Sequence, residues 1–260
     1  MSVRRAPRGV IRVTGADAAA YLQGQISQDV EALAEGATAW SLVLDPGGKL
    51  IAWFRIWALA DAYLFDTEPD AVDALVARLE RFRLRTDVTF DVESGWLLES
   101  TLDGTADGEL TTWFGWPGFS CSERLTTERL EAHVDDGWTE ARLRAACPIM
   151  GIDIDDDTIP AEGGQPLIDL SVSFTKGCYT GQELVARIDS RGGNVPRPLR
   201  VVEADGPVEV GAAVTFEGQE IGTITSAIDN VGLGRLRRKA EVGAVVGVGD
   251  VSARISAPTA

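Results

Sequence analysis

The chain has 260 residues, 45% hydrophobic and 25% charged, which suits one large or two modest globular domains with a real core. Lysine and arginine total 24 against 40 aspartates and glutamates, a net charge of −16, and so acidic a surface disfavours nucleic-acid backbone and anionic lipid as direct partners. Three scattered cysteines (Cys121, Cys147, Cys178) without a C-x-x-C, and one histidine, His133, argue against a disulfide scaffold, a locally built metal or iron–sulfur site and a histidine-dependent triad.

Arg4, Arg5, Arg8 and Arg12 open the chain with no apolar segment behind them, so the N-terminus does not read as a secretory signal. Val10 to Val13 reads as a strand. Thr14 or Asp17 is placed to cap a short alanine-rich helix that Gly24 ends. Ala37 to Leu44 and Lys49 to Leu59 are two apolar runs joined by Asp45-Pro46-Gly47-Gly48, a hairpin with suitable turn chemistry. The run Leu50 to Ala60 is interrupted by Arg55 and is too short to cross a bilayer, so the expected compartment is the cytoplasm. A third strand follows at Ala62 to Phe65. Pro69 opens a helix whose apolar stripe is Val72, Leu75, Val76, Leu79 and Phe82. Val88 to Val92 and Trp96 to Leu98 are strand segments, and the mixed stretch Thr101 to Phe119 gives no clear period. Thr139 caps a short helix ending near Ala146, before Pro148.

Past Val195 the texture changes to short β-branched runs between glycines, at 208–210, 214–216, 221–226, 232–236, 245–248 and 251–255. Such spacing suggests a small barrel or sandwich. The predicted organisation is therefore an α+β body over residues 1–194 and a C-terminal antiparallel β-barrel over 195–260. Asp153, Asp155, Asp156 and Asp157 imitate a cation loop. Counted from Asp153, however, Thr158 and Gly164 stand where an EF-hand needs its glycine and glutamate, so the reading is a solvated acidic turn and no metal.

The segment Lys176-Gly177-Cys178-Tyr179-Thr180-Gly181-Gln182-Glu183 carries the chemistry. Thr180 and Glu183 have capping-box spacing, so a helix is expected right after Thr180, with Leu184, Val185 and Ile188 on its apolar face. Its dipole and Lys176 would both favour a thiolate at Cys178. A buried, inert cysteine is the other reading, and it is the one adopted for Cys121 and Cys147. From Lys176 to Arg200 the charge is +3 (Lys176, Arg187, Arg191, Arg197 and Arg200 against Glu183 and Asp189). These arginines either pair with acids such as the 153–157 turn or form a site for a carboxylate or phosphate.

This segment resembles the K-G-C-Y-x-G-Q-E signature of YgfZ-type proteins, relatives of the glycine-cleavage T-protein. Supporting matches are Tyr21-Leu22-Gln23-Gly24-Gln25, Leu44-Asp45-Pro46-Gly47-Gly48-Lys49, Gly151-Ile152-Asp153, Ile159-Pro160-Ala161-Glu162 and Ile221-Gly222-Thr223-Ile224-Thr225-Ser226. The resemblance implies a T-protein-like folate-binding body with its barrel, tetrahydrofolate as ligand, and a role in assembling or repairing iron–sulfur clusters. Iron–sulfur enzymes, tRNA-modifying ones among them, or assembly proteins would then be partners. It places Cys178 and Lys176 at the working centre, supported by Gly177, Tyr179, Gly181, Gln182 and Glu183. Arg187 and Arg197 are expected at the folate's glutamate tail, in a site between body and barrel, with Trp138 against the pterin. Two positions depart from the T-protein pattern. Ile51 and Ala52 replace its paired aspartates, which removes the group that orients a folate-bound amine. Ala146 replaces the glutamate that meets the pteridine, which weakens the expected folate contact. Three functions follow: a folate-linked accessory protein for cluster metabolism, a folate-dependent one-carbon transferase, and a thiol-redox or scaffold protein without folate.

Overall fold

The computed structural model describes residues 2–102 and 104–259. Its body is built on one antiparallel sheet in the order β2-β3-β4-β1-β5-β7-β6, with β8 added beside β1. The strands are β1 (Val3–Thr14), β2 (Thr38–Leu44), β3 (Leu50–Ala58), β4 (Tyr63–Thr67), β5 (Thr89–Thr101), β6 (Thr111–Trp116), β7 (Phe119–Thr126) and β8 (His133–Val134). The expected strand at Val10 to Val13 is the buried half of β1. Its first half was illegible because Arg4, Arg5 and Arg8 break the apolar pattern; each is answered by an acid, Arg4 and Arg8 by Glu68 and Arg5 by Glu99. The two segments expected at 88–92 and 96–98 belong to the single strand β5. The stretch without a period is the β6–β7 hairpin. It brings β6 back to β2, where the Thr38 and Thr112 hydroxyls lie 2.8 Å apart and Trp40 meets Phe114 at 5.4 Å between ring centres.

Five helices lie among these strands and after them: α1 (Ala18–Gln23), α2 (Val72–Glu80), α3 (Asp136–Arg144), α4 (Gln165–Ser171) and α5 (Gln182–Asp189). Pro69 begins a single 3₁₀ turn that leads into α2, which buries Val72, Leu75 and Leu79. Phe82 falls beyond the end of α2 and is 44% exposed, so it leaves the expected stripe. Helix α3 starts three residues before Thr139, after Asp135. The Thr139 amide already bonds inside the helix, to the Asp135 carbonyl at 3.1 Å. Helix α4 went unread; its apolar face is only Leu167 and Ile168, too short for a periodic signal.

The C-terminal sheet is antiparallel, in the order β11-β10-β14-β15-β9-β13-β12. Its strands are β9 (Leu199–Ala204), β10 (Ala213–Phe216), β11 (Gln219–Thr223), β12 (Ser226–Ile228), β13 (Val231–Arg235), β14 (Val245–Val248) and β15 (Val251–Ser256). The expected run at 221–226 splits into β11 and β12. The run at 208–210 is not a strand, whereas β9 was not anticipated. The sheet curls on itself: the Arg237 amide bonds the Ile221 carbonyl at 2.8 Å and the Thr225 amide bonds the Leu233 carbonyl at 2.7 Å. It has its own core of Val202, Val214, Ile221, Leu236, Val248 and Ile255.

Body and barrel meet in two ways. Leu143 and Ala146, from α3 and the turn after it, pack on Leu199, Val201, Val231 and Leu233 of the barrel. The acidic turn supplies the rest, and here the expectation of a solvated turn fails for Asp153, while Asp156 and Asp157 stay exposed. Asp153 is buried: its carboxylate accepts from Arg142 Nη1 at 2.6 Å, the Ile149 amide at 2.9 Å, and the Thr225 and Ser226 hydroxyls at 2.6 and 2.7 Å. Asp155 pairs with Arg235 at 2.6 Å, and Asp157 with Lys49 at 2.5 Å and Arg197 at 2.8 Å. Pairing of this turn with later arginines is one of the two readings of the sequence, and it holds for Asp157, whose arginine comes 40 positions on; Asp155 finds one 80 positions on.

Candidate functional site

The motif occupies the loop from α4 into α5, and the first elements of the chain hold it in place. Ser171 accepts the Ser27 hydroxyl at its carbonyl (2.6 Å), and its own hydroxyl accepts the Trp53 indole N–H (2.9 Å). The Ser173 amide reaches the Ser27 carbonyl at 3.0 Å. Lys176 then turns its ammonium onto the carbonyls of Ile26 and Gln28, 2.8 Å from each. Burial pushes the Lys176 pKa down to about 8, although Asp29 and Glu31 oppose it. Its charge therefore fastens the loop to residues 26–28. Tyr179 lies below, buried, with the ammonium 5.5 Å from its ring centre, and burial pushes its hydroxyl up to about 12.

The capping box does not form. Gly181, with φ of 84°, stands at the N-cap, α5 begins at Gln182, and no side chain caps it. Gln182 instead accepts the Tyr179 amide at its side-chain oxygen, 3.3 Å away. The reason is the hairpin between β2 and β3, far from the motif in sequence. A Cβ on Gly181 would stand 2.6 Å from the Asp45 carbonyl oxygen, and one on Gly48 would stand 2.5 Å from Leu184 Cβ. Only glycines let the hairpin and the α5 entry touch, and the left-handed backbone that results replaces the cap. Cys178 thus sits four residues before the first helical residue, outside the reach of the dipole.

What distinguishes Cys178 is access. It is exposed, whereas Cys121 and Cys147 are buried. Burial raises the thiols of both buried cysteines far above the ordinary range, and for Cys121 Glu123 adds to it. Beside the motif a shallow recess of about 270 Å³ is lined by Phe174, Lys176, Tyr179, Gln182 and Glu183.

The residues expected to meet folate are not brought together. Arg197 pairs with Asp157, and its amide bonds Glu162 Oε1 at 3.0 Å, so the ion-pair reading holds for it. Arg187 lies on the exposed side of α5 with no ion-pair partner among the described residues. Trp138 is buried elsewhere, in a narrow aromatic cleft of about 50 Å³ shared with Trp40, Trp53, Phe114 and Phe119. The Arg4 guanidinium lies 5.3 Å from the Trp138 ring centre. The indole N–H of Trp138 and the Nε–H of Arg142, one turn further along α3, are both buried with no hydrogen-bond partner. Below the cleft runs a buried ionic chain. Arg8 reaches Asp66 at 2.7 Å, Arg55 reaches Asp66 at 2.9 Å and Glu123 at 2.5 Å, and Ser100 reaches Glu123 at 2.6 Å. Burial pushes the Asp66 carboxyl up, but Arg55 and Arg8 pull it down further, and it rests below its ordinary value. Sequence reading missed Arg4, Arg8, Glu68, Glu123 and Arg142 here. The one available signal was the spacing of Arg4 and Arg8, which puts both on the same face of a strand.

A second, wider cleft of about 380 Å³ opens between body and barrel, bordered by Trp116, Ala146, Gly164, Gly193, Arg200 and Arg238. Ala146 has φ of 53° and presents no carboxylate there. Ile51 and Ala52 lie on β3, half-buried and buried. Among the described residues no group of three histidine, cysteine or acidic side chains is gathered to hold a metal.

An antiparallel α+β body joined to a curled C-terminal sheet defines the T-protein class of fold. The aminomethyltransferase T of the glycine cleavage system from Bartonella henselae superposes with a TM-score of 0.74 over 98% of this chain and 85% of its own, at 16% identity, a likeness of fold alone. Residues 197–260 match the C-terminal beta-barrel domain of CAF17. A protein of Haemophilus influenzae is 32% identical over 240 residues, covering 85% of this chain and 81% of that one. The tRNA-modifying protein YgfZ of Vibrio vulnificus is 26% identical over 72% of this chain and 65% of its own length, and that of Hamiltonella defensa is 27% identical over the same shares. The chain belongs to the YgfZ-type family, related to the aminomethyltransferases.

Proposed function

We propose that the protein is a tetrahydrofolate-linked accessory factor for the assembly or repair of iron–sulfur clusters, acting in the cytoplasm through Cys178. The observation that carries this reading is the contrast among the three thiols: the motif cysteine is exposed and the other two are sealed in the core. A single accessible thiol suits transient contact with a partner thiol, a sulfur species or a cluster edge, since a resident cluster asks for several converging thiolates. Iron–sulfur enzymes or assembly proteins are then its partners. The relatives described as tRNA-modifying proteins agree with clients that modify tRNA.

On this reading the pterin of a reduced folate sits at the aromatic cleft, which must widen from about 50 Å³ to take it. The unpartnered Trp138 and Arg142 N–H groups there fit ring or carbonyl acceptors. When bound, the folate supplies a one-carbon carrier. Ile51 and Ala52 leave no carboxylate on β3 to orient an amine on that carrier, so aminomethyl transfer is not the activity. A folate-independent thiol-redox or scaffold role is the second reading. The narrowness of the cleft, about 50 Å³, and the missing carboxylate at Ala146 favour it. Thermal stabilisation by tetrahydrofolate, absent in Trp138→Ala, selects the first reading, and no stabilisation at millimolar ligand selects the second.

Cys178→Ser tests the central claim. The variant is expected to keep its melting temperature and any folate shift, yet to fail to restore cluster-enzyme activity in cells lacking the protein. Full rescue by the serine variant refutes the assignment.

A further inference from the structure

Between α2 and β5 the chain reads Arg81-Phe82-Arg83-Leu84-Arg85, three arginines and no acid in a protein of net charge −16. All five residues are exposed, and Leu84 is 82% exposed, the most of the large exposed apolar side chains. Isolated surface leucines need no explanation. This one is flanked by cations on both sides and held out by a shaped loop.

The loop is pinned at its base. The Asp17 amide bonds the Asp87 carbonyl at 3.0 Å, and the Asp87 amide bonds the Asp17 carboxylate at 2.9 Å. Arg83 is spent on the loop itself, pairing with Glu80 at 2.9 Å and donating to the Val88 carbonyl at 2.8 Å. The Thr86 hydroxyl donates to the Leu84 carbonyl at 3.1 Å. Arg81 and Arg85 have no ion-pair partner among the described residues. Arg85 also adopts φ of 57°, in the left-handed region where a glycine would sit without cost. Strain of this kind at an exposed tip points to a side chain that is used.

We propose that residues 81–85 dock a protein partner that offers an apolar pocket rimmed by carboxylates, with Leu84 as the anchor and Arg81 and Arg85 as the flanking charges. An apolar side chain seated in a pocket inside a polar rim is ordinary interface anatomy, and arginine is enriched at such sites. Charge complementarity decides the orientation. The acidic remainder of the surface repels such a partner, while this loop, like the exposed run Arg237-Arg238-Lys239, attracts it, and only this loop sets a large apolar side chain between its cations. The same balance disfavours an extended polyanion, which meets the acidic remainder within a Debye length of about 10 Å on either side. Leu84 has no ring to stack on a base, and the Phe82 ring is covered by the Arg78 guanidinium at 4.3 Å.

The test places the photo-cross-linking residue p-benzoylphenylalanine at position 84 of the full chain in living cells, then maps the adducts by mass spectrometry. The expected result is adducts on protein, at apolar residues bordered by aspartate or glutamate, with a yield that falls at least tenfold in Arg81→Glu/Arg85→Glu. Arg85→Gly serves as the second variant, because it removes the charge and the backbone strain together; it should lower the yield while leaving the melting temperature equal or higher. Adducts on RNA, on lipid or between two copies of this chain overturn the proposal. So does a yield indifferent to both variants, or the absence of any adduct.

Discussion

Asp153→Ala is the most informative substitution in this protein. The carboxylate takes four hydrogen bonds, two from the body (Arg142 and the Ile149 amide) and two from the barrel (Thr225 and Ser226). Its partner Arg142 is 4% exposed at the side chain, and Asp153 is fully enclosed. Removing one member of a buried pair leaves the other charge without compensation, at a cost of about 3–5 kcal/mol. Arg142 then keeps only the Cys147 carbonyl, at 2.9 Å, and its Nε–H is already unpartnered. At the ~2–4 °C per kcal/mol usual for chains of this size, a loss of about 4 kcal/mol lowers the melting temperature by roughly 8–16 °C. Urea unfolding of wild type, Asp153→Ala, Arg142→Met and the double variant measures this. The double variant should cost less than the sum of the singles by about 1 kcal/mol or more, because its arginine charge is gone too. A loss below about 1 kcal/mol for Asp153→Ala, or strict additivity, would show that the buried carboxylate and Arg142 do not form a coupled pair.

Two further outcomes are expected. Hydrogen bonds from Lys49 and Arg197 hold the Asp157 carboxyl at about 2, below its ordinary 3.8. The unfolded chain therefore takes up the proton first, and the stability Asp157 contributes is whole above pH 4 and drains as pH falls toward 2. The stability gap between wild type and Asp157→Asn should close over that window in acid-unfolding curves, and a gap unchanged down to pH 2 contradicts it. Gly181→Ala should destabilise by about 2–4 kcal/mol, from left-handed strain plus overpacking. Gly177→Ala should lie within about 0.5 kcal/mol of wild type, since nothing stands within 4 Å of the added methyl. Equal effects of the two substitutions in thermal unfolding would defeat the account of the hairpin contact.

The fold was legible where local signals agreed with tertiary context. Asp45-Pro46-Gly47-Gly48 and its flanking runs gave β2 and β3 almost residue for residue, and Pro69 marked the approach to α2. Legibility was partial where charges were neutralised from afar. Arg4, Arg5 and Arg8 hid half of β1, and Arg142 with the barrel hydroxyls of Thr225 and Ser226 buried one aspartate, Asp153, of a run that read as solvent-facing. The capping box at Thr180 and Glu183 failed for a similar reason: the hairpin presses on Gly181 and fixes a backbone that the local pattern does not ask for. Cys178 stood out because its neighbours are unusual in sequence. The aromatic cleft did not, because Trp40, Trp53 and Trp138 come together only through three separate elements.

If Cys178 acts as proposed, the seclusion of Cys121 and Cys147 sets a rule for whatever it picks up. A protein that forms a mixed disulfide or carries a sulfur adduct usually frees itself with a second, resolving thiol of its own. Here the only other thiols are 0% and 3% exposed. Once Cys178 is occupied, release must come from a thiol that the partner or the surrounding solution brings. The lifetime of the adduct is then set outside the chain, and each molecule carries one adduct at a time.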